Sequence, residues 1–256
     1  MIDRRSFLHT AALTGLGVGM ASAHAAPPLR MAYFETYSPL SFGQDGQLRG
    51  ILLDVIQEVA GRRLGLTVEH TGYPWNRAQA LVQSGEQDAI CTIATPERLE
   101  YAVDAQEPVV SAPRRIFVHK DNVLLPKLQK VHNLDELHKL NPTVISYQGN
   151  GWAKNNLGHF KVDNGRNFDS AIKMLLANRG DVMVDNALTM QYALQQAQGS
   201  TDVLMLAVDL DESHFQLLVG KKSPHVGMLP AFDTALRQFK RSPDYAKLIQ
   251  KYGIKL

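Results

Sequence analysis

One arginine raises the first chemical question. The stretch Cys91–Pro108, CTIATPERLEYAVDAQEP, reads as a strand end, a loop and a helix opening at Thr95-Pro96-Glu97-Arg98. Thr95 is a good N-cap, and Pro96 suits the first helical position, where its missing N–H costs nothing. Arg98 then falls in the first turn, beside the positive end of the helix dipole. A cation there is unfavourable unless an anion sits between it and the free amides. Local sequence leaves two readings open: a solvated surface arginine, or a guanidinium fork waiting for an anion. Asp185 is the second candidate. It ends the apolar run DVMV and precedes NALTMQYAL, where an aspartate would also cap a helix. Glu35, Glu107 and Asp185 would supply general acid–base chemistry only if the fold brought them together.

Other chemistry finds little footing. None of the nine histidines lies in H-x-H or H-E-x-x-H, and His132 and His138 are poorly spaced for one helix face, so no metal is expected. No G-x-S-x-G, P-loop or kinase-like set occurs, and no cofactor is expected. The single cysteine, Cys91, ends the apolar run DAIC and is read as packed core; alone it forms no intramolecular disulfide. A net charge of +2 without a dense Lys/Arg run argues against nucleic acid and against a polybasic membrane contact.

The elements that must position these residues follow from periodicity. Residues 1–25 read as a signal peptide: a basic start, an apolar middle and an A-x-A pattern at Ala23-His24-Ala25. Arg4-Arg5-Ser6-Phe7-Leu8 resembles a twin-arginine signal, which exports folded proteins. The GLGVG within this segment follows no strand and marks no dinucleotide site. Beyond it, LRMAYF, LTVEHTGY and QDAICTIA read as strands, separated by the amphipathic runs GILLDVIQEVAGRRLG and WNRAQALVQSG. That β-α-β-α-β order predicts a parallel sheet covered by helices, with ligands beyond the carboxyl ends of its strands. The residues that follow the strands therefore matter most: Phe34 to Tyr37, Tyr73 to Arg77, and Thr92 to Arg98. The pattern restarts with TVISYQGNGW, NFDSAIKMLLANRG, DVMVDNA and LTMQYALQQAQ. DVLMLAVDL and SHFQLLVGKK are expected as strands, and two helices broken at Ser242-Pro243 end the chain. Two similar α/β units joined by strand-like crossings near Ile116–Lys120 and Phe215–Lys221 would enclose a cleft.

Four pieces now carry a family resemblance: YFETYSPLSFGQDGQLRGILLDVIQEVAGRRLG, LVQSGEQDAICTIATPERLEYAVDAQEPV, VMVDNA and SPDYAKLIQKYG. In order and spacing the mature chain resembles a periplasmic solute-binding protein of the polar amino acid type, family three. The resemblance implies a bilobal periplasmic-binding-protein fold of two parallel-rich sheets flanked by helices. Lobe one would take residues 26–118 and 216–256, and lobe two residues 119–215. It implies that Arg98 takes the ligand's α-carboxylate, that Asp185 takes its ammonium, and that Tyr37 covers its apolar stem. Trp75 is a further wall candidate with core packing as its alternative, and Phe34 is a weaker one. Relatives often carry a serine where this chain has Ile93, which leaves backbone groups with Thr92 and Ala94 around them. They also often carry hydroxyls where this chain has Gly149, Asn150 and Gly151, whose amides would serve instead, with Trp152 narrowing the pocket. Arg77 in PWNRA would either add a positive charge to the cleft or lie on a helix surface. The resemblance further implies a monomeric, non-enzymatic periplasmic protein that binds an amino acid and presents it to an ABC transporter permease. The alternatives are a cyclohexadienyl dehydratase-like enzyme and an accessory ligand-binding protein of a periplasmic oxidoreductase.

Overall fold

The structure, a computed structural model, describes residues 27–148 and 150–254. The segment read as an export signal and Gly149 lie outside the described residues.

The chain opens with β1 (Leu29–Phe34) and a small meander of β2 (Thr36–Tyr37), β3 (Ser41–Gln44) and β4 (Gln47–Arg49). Helix α1 (Ile51–Ile56) runs on as a π-helical segment, Gln57–Arg63; β5 (Val68–Tyr73), α2 (Trp75–Ser84), β6 (Ala89–Thr92), α3 (Pro96–Tyr101) and β7 (Ala102–Asp104) follow. The long strand β8 (Val110–His119) leads to α4 (Leu125–Leu128), α5 (Leu134–Lys139), β9 (Thr143–Tyr147) and α6 (Gly151–Asn156). Next come β10 (Lys161–Gly165), α7 (Phe168–Leu176), β11 (Val182–Asn186), α8 (Ala187–Gln196) and β12 (Val203–Met205). The long strand β13 (Asp211–Gly220) returns, and α9 (Leu229–Lys240) and α10 (Pro243–Gln250) end the described chain.

The main sheet runs β10-β9-β11-β8-β13-β6-β1-β5, with β12 on β8 and β7 on β13. At one end β1 pairs in parallel with β5 and β6; at the other β9 pairs in parallel with β10 and β11. Between these parallel groups the two long strands run antiparallel, from Val110↔Phe215 to Arg114↔Asp211. Beyond that ladder they part company: β13 continues onto β6 and β8 continues onto β11. A strand buried on both faces needs a continuous apolar run, and Leu29, Met31, Ala32 and Tyr33 of β1 are all buried. Helices on both faces complete this mixed α/β architecture.

Buried apolar side chains gather on either side of the crossing. One set centres on β1, β6, α1, α9 and α10; the other centres on β8, β9, β11 and α7. Leu188 of α8 is an exception, since it packs with the first set. Three features lacked a sequence expectation. The β3–β4 turn uses Asp45 and Gly46, both at positive φ (53° and 73°), a conformation these residues tolerate best. Helix α6 is a short helix, and β10 is an edge strand with mostly exposed or half-exposed residues, so neither shows an apolar period. The run Asp202–Leu210, expected as one strand, pairs as a strand only over β12.

Candidate ligand-binding cleft

Parallel strands end where helices begin, and this geometry collects the site. A cavity of about 840 Å³ is walled on one side by Phe34, Thr36, Tyr37 and Ser38 at the end of β1. Tyr147, Asn150, Gly151 and Trp152 wall the other side, with Asp185 at the end of β11 and Arg114 from the crossing strand β8. Asp169, Lys173, Thr189 and Tyr192 extend the lining along α7 and α8.

The aromatic wall is continuous. Phe34 stands 6.0 Å from both Tyr37 and Trp75 between ring centres, and Tyr37 stands 6.0 Å from Phe215. Trp75 itself packs partly against the small core under α2, and the guanidinium of Arg98 lies 5.1 Å over its ring. Arg98 donates to the carbonyl of Ile93 at 2.8 Å and from Nε to Gln79 Oε1 at 3.0 Å. Burial pulls its guanidinium below the usual arginine value, against the pull of Tyr101 and Glu97. Thr95 stands at the N-cap of α3 in extended conformation, but its side chain caps no amide of that helix. The lining of the 840 Å³ cavity includes Phe34, Tyr37, Asn150, Gly151 and Asp185, while Arg98, Trp75, Thr92, Ile93 and Arg77 lie outside it. Thr92 is buried, Ile93 is 37% exposed, and Arg77 is exposed with its guanidinium 5.5 Å over the Tyr73 ring.

Asp185 does not cap α8. That role falls to Asn186, whose Oδ1 accepts from the amides of Leu188 at 2.9 Å and Thr189 at 3.3 Å. Asp185 is only 5% exposed; its Oδ1 accepts from the Asn186 amide at 2.7 Å and faces Arg114 Nη1 at 3.6 Å. Its Oδ2 accepts from Asn150 Nδ2 at 3.4 Å, and the Tyr147 hydroxyl lies against the same carboxyl group. Burial raises its carboxyl above the ordinary aspartate value despite those donors and the nearby guanidinium. Asn150 also caps α6 through the Ala153 amide. The other two carboxylates serve elsewhere: Glu107 binds Lys240 Nζ at 2.7 Å, and Glu35 is not in the cavity lining.

Arg114 is a cleft residue that no sequence motif announced. It donates to Ser213 Oγ at 3.1 Å, lies 3.7 Å from Asp211 Oδ2, and stacks 4.6 Å over the Trp152 ring. Trp152 in turn donates from Nε1 to Asp211 at 2.7 Å. Among the described residues no group of three or more His, Cys, Asp or Glu side chains could hold a metal, and no helix is long and apolar enough to cross a membrane. Cys91 is buried in the core, and its thiol is pushed up by burial.

Residues 29–255 match the bacterial extracellular solute-binding proteins, family 3. The chain belongs to that family. Its members' fold is also the fold of the similar solved structures. An ancestral cationic amino acid solute-binding protein (AncCDT-1) is 25% identical with a TM-score of 0.68, over 88% of this chain and 95% of that one. A further structure of AncCDT-1, described as an ancestral amino acid-binding protein and a precursor of cyclohexadienyl dehydratase, is 25% identical with a TM-score of 0.61, over the same shares of 88% and 95%. The GluR0 ligand-binding core in complex with L-glutamate shares the fold at 17% identity and a TM-score of 0.66, over 89% of this chain and 99% of that one. No curated protein sequence matches the chain.

Proposed function

We propose that this family 3 protein is exported to the periplasm, through the twin-arginine route, and binds an amino acid or similar small carboxylate for delivery to an ABC transporter permease. The observation that carries the reading is the cavity itself, lined from one side by Phe34 and Tyr37 and from the other by Asn150 and Asp185. Closure around a ligand would pivot where β8 and β13 cross, since among the described residues only that ladder joins the two halves of the sheet. Arg98, outside the cavity lining but stacked on Trp75, whose ring stands 6.0 Å from the lining residue Phe34, is the carboxylate receptor in this reading. Its planar fork sits half-buried at a helix start with no acid as a hydrogen-bonding partner, and burial already disfavours its charge. A ligand carboxylate would supply the missing anion through a bidentate pair.

A thermal-shift screen of the purified protein against amino acids, dicarboxylates and polyamines tests this. A ligand at ~100 times its dissociation constant adds about 2.7 kcal/mol of stability, a rise of roughly 5–10 °C for a chain of this size. Arg98→Ala is expected to weaken binding by about 100-fold, the loss of a charge-assisted bidentate pair. Silence across all small carboxylates, or an unchanged shift in Arg98→Ala, sinks the reading. A second reading, a dehydratase-like enzyme, draws on the buried Asp185 carboxyl, which keeps its proton longer than an ordinary aspartate. Prephenate included in the same screen, followed by assay for loss of water and carbon dioxide, separates the two. Turnover abolished by Asp185→Asn would establish the enzyme.

A further inference from the structure

Resting on the binding reading above, we propose that Arg114 and its neighbours remove Asp185 from ligand recognition, so that the cleft selects small carboxylates without requiring an α-ammonium group. 2-Oxo acids, 2-hydroxy acids and dicarboxylates are then ligands on the same footing as amino acids.

The argument is one of acceptor capacity and charge. An ionised carboxylate offers about four lone-pair sites. Two amides already donate to Asp185, from Asn186 at 2.7 Å and from the Asn150 side chain at 3.4 Å, and the Arg114 guanidinium and the Tyr147 hydroxyl crowd the same carboxylate. An ammonium entering the cavity must compete with these neighbours for the acceptor sites that are left. The charge is spoken for as well. Arg114 lies 3.6 Å from Asp185, and the two side chains are only 11% and 6% exposed. At that separation and burial the pair is close to neutral as seen from the cavity, and an approaching cation meets little net field. Arg114 is not free to swing away. It is held on one face by the Trp152 ring, at one edge by Ser213 Oγ, and its backbone pairs with Asp211 in the ladder of crossing strands. Asp211 also faces Arg114, at 3.7 Å from Nε, but its side chain is 46% exposed, so water screens its charge far more than that of the buried Asp185.

The test compares matched probes that differ only at the α-carbon: L-glutamate with glutarate and 2-oxoglutarate, L-arginine with 5-guanidinovalerate, and L-phenylalanine with 3-phenylpropionate. Isothermal titration of the wild-type protein is expected to give dissociation constants within about threefold inside each responding set, under 1 kcal/mol. A preference of about tenfold or more for the amino acid overturns the proposal while leaving the binding reading intact. No response from any probe overturns both. Arg114→Gln exposes the Asp185 charge to the ligand and is expected to create an ammonium preference of about tenfold. Asp185→Asn leaves the Arg114 charge facing only the solvent-screened Asp211 and is expected to tighten the deaminated probes by about tenfold. Loss of amino acid binding in Asp185→Asn overturns the proposal. If Arg114→Gln fails to fold, the wild-type comparison and Asp185→Asn still decide.

Discussion

Tyr37 packs between Phe34 and Phe215, with 6.0 Å between ring centres on each side. Burial pushes its phenol up to about 12, the Asp185 charge pushes the same way, and Arg114 pulls it back. A phenol whose folded value lies above its ordinary value near 10 stabilises the fold fully below pH ~10. That stability is lost as pH rises through the folded value. The phenolate absorbance of wild type minus Tyr37→Phe should therefore rise with a midpoint near pH 12, and the melting temperatures should converge over the same window; a midpoint near 10 would refute the burial. Tyr37 and Phe34 were legible in the sequence because a parallel sheet delivers its strand-end residues to one cleft. Asp185 was legible in position, but its partners were not. Arg114 was illegible altogether: it lies inside the strand SAPRRIFV, and its role comes from distant partners, Asp185, Asp211, Ser213 and the Trp152 ring.

Elements are held in place by similar long-range pairs, and Asp88 shows how much one can carry. It lies just before β6, is 2% exposed, and accepts from the Arg30 amide, Nε and Nη2 of β1 at 3.0, 2.8 and 3.2 Å. Ser223 Oγ, after β13, donates to it at 2.9 Å, so three central strands meet on one carboxylate. Burial alone would raise its carboxyl, yet the Arg30 and Ser223 hydrogen bonds together hold it below the ordinary value. A depressed carboxylate gives stability that is present above pH ~4 and lost as pH falls through its folded value. Asp88→Ala should cost about 2–3 kcal/mol at neutral pH, less than a fully buried pair because Arg30 is 39% exposed. Denaturant titration should show that gap shrinking toward pH 3; a gap independent of pH would mean the loss is packing alone. Strands such as β1 and β6 were readable from their apolar runs. Edge strand β10 and the β2–β4 meander were not, because a half-exposed strand pays for no apolar period and a short hairpin is fixed by turn geometry at Asp45-Gly46.

At the scale of the whole molecule, the crossing strands are not the only connection between the halves. Helix α8 leaves the end of β11 beside Asp185 and reaches the other half of the protein. Its Leu188 enters that half's core, its Tyr192 ring stands 5.6 Å from Phe42 of β3, and its Gln195 side chain donates to the Gly253 carbonyl. Contacts of this kind bias an open–closed equilibrium only if they differ between the two states. The Phe42–Tyr192 pair is the one to test, because Tyr192 lines the cavity and Phe42 does not. Phe42→Leu keeps most of the apolar volume but removes the ring pairing, worth about 0.5–1.5 kcal/mol. If that contact stabilises the closed form, the variant should lose ligand affinity by about two- to tenfold, through faster dissociation in stopped flow. Its ranking among the carboxylate probes should not move, since no lining side chain has changed. Tyr192→Leu alone and the double variant complete the cycle, and a coupling energy near zero would mean the two rings touch without bearing on closure. A changed ranking with unchanged dissociation would instead place the effect in the cavity wall, and α8 would then be a wall element with no part in holding the halves together.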